Sequence, residues 1–155
     1  MAVTIDGVGE INGVVLPTTS FGKVLQVVTN KTGAINVATT SSSFVTTGVT
    51  ISITPQVATS KIIIGFTGLF RASTANYSCM VGTFRGTVDG TSLGPIVSVQ
   101  SGAAETRISL SSTSFDEPNT TSATTYTIGF RSDGGFAASA GIGTVFTMYA
   151  IEVSA

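Results

Sequence analysis

The sequence has no histidine, no tryptophan, a single cysteine and few charges. Without histidine there is no Ser–His–Asp triad, no Cys–His pair and no histidine-ligated metal. The lone Cys79 cannot close an internal disulfide. It sits in Tyr77-Ser78-Cys79-Met80-Val81, which is strand-like and offers neither base nor cation, so a buried, inert thiol is expected rather than a nucleophile. Charged residues make up 10% of the chain, against roughly 25% in ordinary domains. The formal net charge of −1 leaves no basic field to hold nucleic acid. No run approaches the ~18 apolar residues of a membrane-spanning helix. The first residues also lack the basic start and apolar stretch of a secretory signal. The expectation is a chain that is not an enzyme, with no cofactor, metal, nucleic acid or membrane among its partners.

What is present is β-forming. The 155 residues suit one domain, long enough to bury about 70% of its unfolded surface without disulfides. Val, Ile, Thr and Phe dominate, and strong helix formers are scattered. Period-two alternation recurs: Val49, Ile51 and Ile53 alternate with Thr50, Ser52 and Thr54, and Tyr126, Ile128 and Phe130 with Thr127 and Gly129. Turn signals separate the runs, among them Thr54-Pro55-Gln56, an Asp89-Gly90 step read as a tight hairpin, and Asp133-Gly134-Gly135. These signals predict strands over 23–29, 44–53, 61–70, 77–88, 91–99, 106–115, 124–131 and 142–153. The run 62–70 reads as buried on both faces, and 142–153 as one long strand covered on both sides. The predicted fold is an all-β antiparallel β-sandwich, a jelly roll of about eight strands, with an extended N-terminal arm.

Residues 1–20 differ from the rest. Val3, Ile5, Val8, Ile11, Val14, Val15 and Leu16 are apolar, Gly residues interrupt them and Pro17 closes the segment. The segment is too apolar for a solvated tail. It is read as an attachment arm, 1–20, ahead of a trimerisation domain, 21–155.

Chemistry-bearing clusters are weak. Asp116-Glu117 before Pro118 lacks the ligand ladder of a calcium loop and reads as a solvated turn. Glycoside hydrolysis needs two carboxylates ~5–9 Å apart across a sugar cleft, and the eight acids here fall mostly in turns or near chain ends, so a hydrolase is not expected. Arg71, Arg85, Arg107 and Arg131 are dispersed, which suggests rim contacts or pairing with Asp and Glu across subunits. Phe70, Tyr77, Tyr126 and Tyr149 are candidates for stacking on sugar rings, although their strand-like positions favour core packing.

Several stretches together resemble small virion proteins of tailed bacteriophages. They are the opening Ala2-Val3-Thr4-Ile5-Asp6-Gly7, the run Phe21-Gly22-Lys23-Val24-Leu25-Gln26-Val27-Val28, and Val49-Thr50-Ile51-Ser52-Ile53-Thr54-Pro55 followed by Ala58-Thr59-Ser60-Lys61-Ile62-Ile63-Ile64. Thr124-Thr125-Tyr126-Thr127 and the final Phe146-Thr147-Met148-Tyr149-Ala150-Ile151-Glu152-Val153 extend the resemblance. It implies a jelly-roll module related in shape to the tumour-necrosis-factor/C1q type, usually trimeric, with no catalytic residues to carry over. Only a short arm precedes the module here, where fibre proteins carry a long shaft. That favours a capsid decoration or cement protein on the virion surface, with the tip of a short tail fibre or a lectin-like module outside any phage as alternatives.

A low-charge, Thr-rich β-domain exposes apolar strand faces unless copies cover one another. Threefold closure through strands 61–70 and 142–153 is expected to place Ile62, Ile64, Phe66, Phe146, Met148 and Tyr149 in the subunit core or the trimer core. Alternation does not say which face is inner, because a one-residue register change reverses both. Expected partners are the chain itself as a homotrimer, other virion proteins such as the major capsid protein through the arm, and a host-surface glycan in the receptor-binding alternative.

Overall fold

The computed structural model describes residues 22–100, 102–103 and 105–155, together with the backbone of 4–5 and 11–12. In chain order the strands are β1 (Thr4–Ile5), β2 (Ile11–Asn12), β3 (Val24–Lys31), β4 (Ile35–Thr39), β5 (Val45–Ile53), β6 (Lys61–Ala72), β7 (Ser78–Arg85), β8 (Thr91–Ser92), β9 (Val97–Gln100), β10 (Thr106–Asp116), β11 (Thr124–Ser132), β12 (Ala138–Thr144) and β13 (Thr147–Val153). Every pairing is antiparallel. Eleven strands build the two sheets of a sandwich, and β1 pairs only with β2.

The strand β6 organises the larger sheet. Along one edge β10 pairs with it over its full length, from Asp116 opposite Ile62 to Thr106 opposite Ala72. The other edge is shared: β13 takes Lys61 to Thr67 and β12 takes Phe70 to Ala72. Outside these lie β3, against β13, and β4, against β12. In the smaller sheet β11 lies between β5 and β7, and β8 and β9 share the far edge of β7. The orders β3-β13-β6-β10 and β5-β11-β7-β9 send the chain back and forth between sheets, a pattern compatible with a jelly roll.

Several strand boundaries depart from the expectation, each for a local reason. The run 142–153 is two strands, not one. Gly141, Ile142 and Gly143 all take positive φ, at 86°, 45° and 76°, and bulge β12 against β4 after its pairing with β6 has ended; Val145 and Phe146 then separate β12 from β13. The run 91–99 is broken by Gly94-Pro95, since proline has no N–H for a ladder. The Asp89-Gly90 step is not a two-residue hairpin, because β7 ends at Arg85 and residues 86–90 form a longer loop beginning at Gly86, φ 78°. Strand β4 was not anticipated, for Ile35-Asn36-Val37-Ala38-Thr39 is short and lies beside Thr/Ser-rich sequence.

The core lies between the sheets. Val49, Ile51 and Ile53 of β5 and Tyr126, Ile128 and Phe130 of β11 face Ile62, Ile64, Phe66 and Phe70 of β6 and Met148 and Ala150 of β13. The break before β13 drives Phe146 inward, where its ring meets Phe70 edge-on with centroids 5.2 Å apart. The chain there is held by Thr32 N donating to Phe146 O at 2.9 Å and Phe146 N donating to Thr32 Oγ1 at 3.0 Å. Gly68 makes room for that ring, since any Cβ at this position would overlap it. Gly68→Ala should therefore cost roughly 1–3 kcal/mol as an overpacked core, read as a lower urea midpoint with an unchanged slope. Cys79 is fully buried, and burial pushes its thiol up to about 12, well away from thiolate chemistry.

Candidate assembly surface

The two outer faces of the sandwich differ. On the smaller sheet, side chains of the same chain cover the strands. Phe84 and Phe44 pack at 4.9 Å, Arg131 stacks over the Phe44 ring at 5.5 Å, and Val88 and Phe84 lie against Gly129. Among the described residues, the larger sheet has no such cover over the row at the Lys61 end of β6. Strand register places Val27, Ile151, Ile63 and Phe115 directly opposite one another, one residue on each of β3, β13, β6 and β10. The residues next to them, Val28, Ala150, Ile64 and Ser114, form the adjacent row, and of these Ala150, Ile64 and Ser114 are buried on the inner face. By the two-residue pleat, the first row must face outward. Phe115 is 68% exposed and Val27 57%.

The neighbouring outward row is Thr29, Tyr149, Gly65 and Thr113. The Tyr149 ring lies across Gly65, where a Cβ would overlap it, and its hydroxyl is 3.4 Å from Thr113 Oγ1. The next row, Lys31, Thr147, Thr67 and Ser111, brings in one lysine at the sheet margin. Arg71 and Arg107 stand opposite one another only at the far end, with Arg71 Nη1 2.6 Å from Glu105 Oε2 and Arg107 Nη2 3.9 Å from the same oxygen. An apolar stripe that crosses four strands with no charge in it is what a buried contact between subunits requires.

The inner face carries a different device at the same end of the molecule. Gln26, Glu152, Ile62 and Asp116 form one cross-strand row facing the core. Asp116 is not in a solvated turn. It closes β10, almost fully buried, and its carboxylate accepts Arg85 Nε at 2.8 Å, Arg85 Nη2, and the Tyr126 hydroxyl at 2.9 Å. Arg85 and Tyr126 belong to the smaller sheet, so this cluster ties the two sheets together. Arg71 and Arg85 each pair with an acid of the same subunit. Burial raises the Tyr126 hydroxyl well above its usual range, and its bond to Asp116 adds to the shift. The Asp116 hydrogen bond raises the Arg85 guanidinium further.

Glu152 is the second buried acid. Its Oε2 accepts Gln26 Nε2 at 2.6 Å, and its Oε1 accepts the Gln56 and Val57 amides at 2.8 and 3.3 Å. Burial alone would raise this carboxyl; the hydrogen bonds outweigh it and leave the group below the ordinary glutamate value. A carboxyl depressed in the folded state contributes stability above its unfolded value, about 4.3. That contribution is lost as pH falls through the folded value. The acid limb of the stability–pH curve should therefore be shallower in Glu152→Gln than in wild type, measured by urea unfolding between neutral and acid pH.

The residues singled out from the sequence divide. Ile62, Ile64, Phe66, Phe146 and Met148 lie in the core of the subunit, while Tyr149 is half-buried on the outer face. Ile5 and Ile11 pair opposite each other between β1 and β2, so part of the arm is a short ladder rather than a single extended strand. Val3, Val8, Val14, Val15 and Leu16 lie outside the described residues. Of the aromatic sugar-stacking candidates, Phe70 and Tyr126 are core residues and Tyr77 is half-buried in a loop. The outward row Val27, Ile63, Phe115 and Ile151 was missed, although Ile63 sits between two of the residues named. The signal was the alternation itself, which needed a register to become a face.

No protein-family model matches the chain, and no curated protein matches it. Among solved structures it is similar to VP2 of infectious bursal disease virus. The VP2 subviral particle matches at 17% identity over 84% of this chain and 37% of that chain, with a TM-score of 0.34. The T=1 particles derived from the virus match at 18% identity over 100% of this chain and 41% of that chain, with a TM-score of 0.38. The chain thus spans about two fifths of the VP2 chains it matches. Likeness at this level assigns neither family nor function.

Proposed function

We propose that the chain is a non-enzymatic structural protein of a tailed-bacteriophage virion, a capsid decoration or cement protein that works as a homotrimer on the particle surface. The observation that carries this reading is the outward apolar row Val27–Ile151–Ile63–Phe115, uncovered among the described residues and bordered by the exposed Lys61–Glu117 ion pair. Packing that face against copies of itself removes it from water, and each large side chain so buried contributes on the order of 1.5–3 kcal/mol. The sequence resemblance to phage virion modules supplies the setting. Residues 1–20 act as the attachment arm toward the major capsid protein, and residues 21–155 as the trimerising body.

The start of the described body fits this division. Gly22 packs against Val153, and Lys23 and Ser154 exchange backbone and side-chain hydrogen bonds of 2.9 Å. Gly22, where the described body begins, therefore lies at the end of the sandwich that holds the apolar row. Deleting residues 2–17 should leave an assembled, folded body that no longer attaches to particles. Full occupancy after the deletion would remove the arm from the proposal. A stained gel of purified virions should show a copy number on the scale of the major capsid protein, and only a few copies per particle would favour the tail-tip reading.

A further inference from the structure

The end of the sandwich opposite Gly22 carries a second, separate feature. Strand β6 starts beside Val153 and Gly22 and runs to Ala72, about 35 Å away at the usual rise per residue. There the loops 73–77 and 133–137 meet. Tyr77 and Phe136 stack with centroids 4.0 Å apart and planes tilted by 38°. Phe136 is 40% exposed.

These loops are fixed in place. Ser73 donates to Ala137 O through its amide at 3.0 Å and its hydroxyl at 2.6 Å. Asp133 N donates to Ser78 O at 2.9 Å, and the Ser132 hydroxyl donates to Phe136 O. Gly134 and Gly135 take φ of 84° and 81°, and the Tyr77 ring lies over Gly134, where a Cβ would overlap it. Asn76, next to Tyr77 in the chain, and Asp133, in the same loop as Phe136, are both exposed, and among the described residues neither side chain makes a hydrogen bond.

We infer that this loop end is a saccharide-binding platform that takes a neutral hexopyranose. The C–H face of the sugar lies on the exposed Phe136 ring, which Tyr77 backs, and vicinal hydroxyls are held by the Asp133 carboxylate and the Asn76 amide. An exposed aromatic face beside free carboxylate and amide groups supplies both halves of that recognition. The braced loops hold it ready, so little ordering is needed on binding. A platform of the same rings but without ligand would act only as a brace for the two loops.

The test is saturation-transfer NMR on the full chain with methyl β-glucopyranoside and methyl β-galactopyranoside at millimolar concentration. Transfer to ring protons of at least one sugar is expected. Phe136→Ala should abolish it, and Asp133→Asn, at an exposed position, should weaken binding about tenfold through loss of a charged acceptor. No transfer from either sugar would overturn the inference. So would transfer that survives both substitutions, or a Phe136→Ala protein that loses thermal stability while wild type shows no sugar signal. The outcome is independent of assembly. A chain that binds sugar yet stays monomeric would refute only the proposed function, and an assembling chain that ignores both sugars would refute only the platform.

Discussion

Asp116→Ala should lower stability by roughly 2–4 kcal/mol. The carboxylate is the shared acceptor for the Arg85 guanidinium and the Tyr126 hydroxyl. Removing it leaves a buried phenol without a partner and a cation without its counter-charge. Arg85 is about a third exposed and can regain water, which keeps the loss at the lower end of the range for a broken buried pair. Tyr126 is fully buried and cannot. Asp116→Asn keeps an acceptor for one of the donors and should lose about half as much. Urea unfolding of both variants beside Tyr126→Phe measures this. A cycle in which Asp116→Ala and Tyr126→Phe simply add would contradict the coupling.

Wild-type protein should sediment as a trimer at micromolar concentration, and the double variant Val27→Asp/Phe115→Asp as a monomer. Both positions are more than half exposed in the single chain, so the fold should survive with a nearly unchanged thermal midpoint. In the assembly each carboxylate would be placed in an apolar contact, without a partner. A penalty of about 3 kcal/mol per contact weakens association by roughly a hundredfold or more. Substitution of Ser98 to Asp, exposed on the smaller sheet, is the control and should leave the trimer intact. A wild-type monomer at these concentrations, or an unchanged assembly in the double variant, would sink the assigned surface.

The sequence reading and the structure agree most where the pattern is local. The alternation in Val49–Ile53 marks a half-buried strand because residues two apart share a face, and β5 has that burial. They part where the outcome depends on residues far away in the chain. Asp116-Glu117-Pro118 has the composition of a solvated turn. Asp116 is nevertheless buried, because the fold brings Arg85 and Tyr126 to it from the other sheet. Phe146 and Tyr149 belong to the same apolar run, yet one ring enters the core and the other lies on the outer face. The glycines that admit those rings, Gly68 and Gly65, are on a different strand, so no window around residue 146 could reveal them.

The amino-acid sequence alone determined the chemical character of this protein: β-forming, weakly charged, and without the histidines or paired thiols on which many sites depend. Residue type sets that, and no folding can add a missing side chain. Only the tertiary structure decided which of Ile62 and Ile63 lies inside, and so which face is left bare. A strand with apolar residues on both sides is balanced between two registers. The choice falls to the partner strands and to the ring, carboxylate and arginine contacts that lock them.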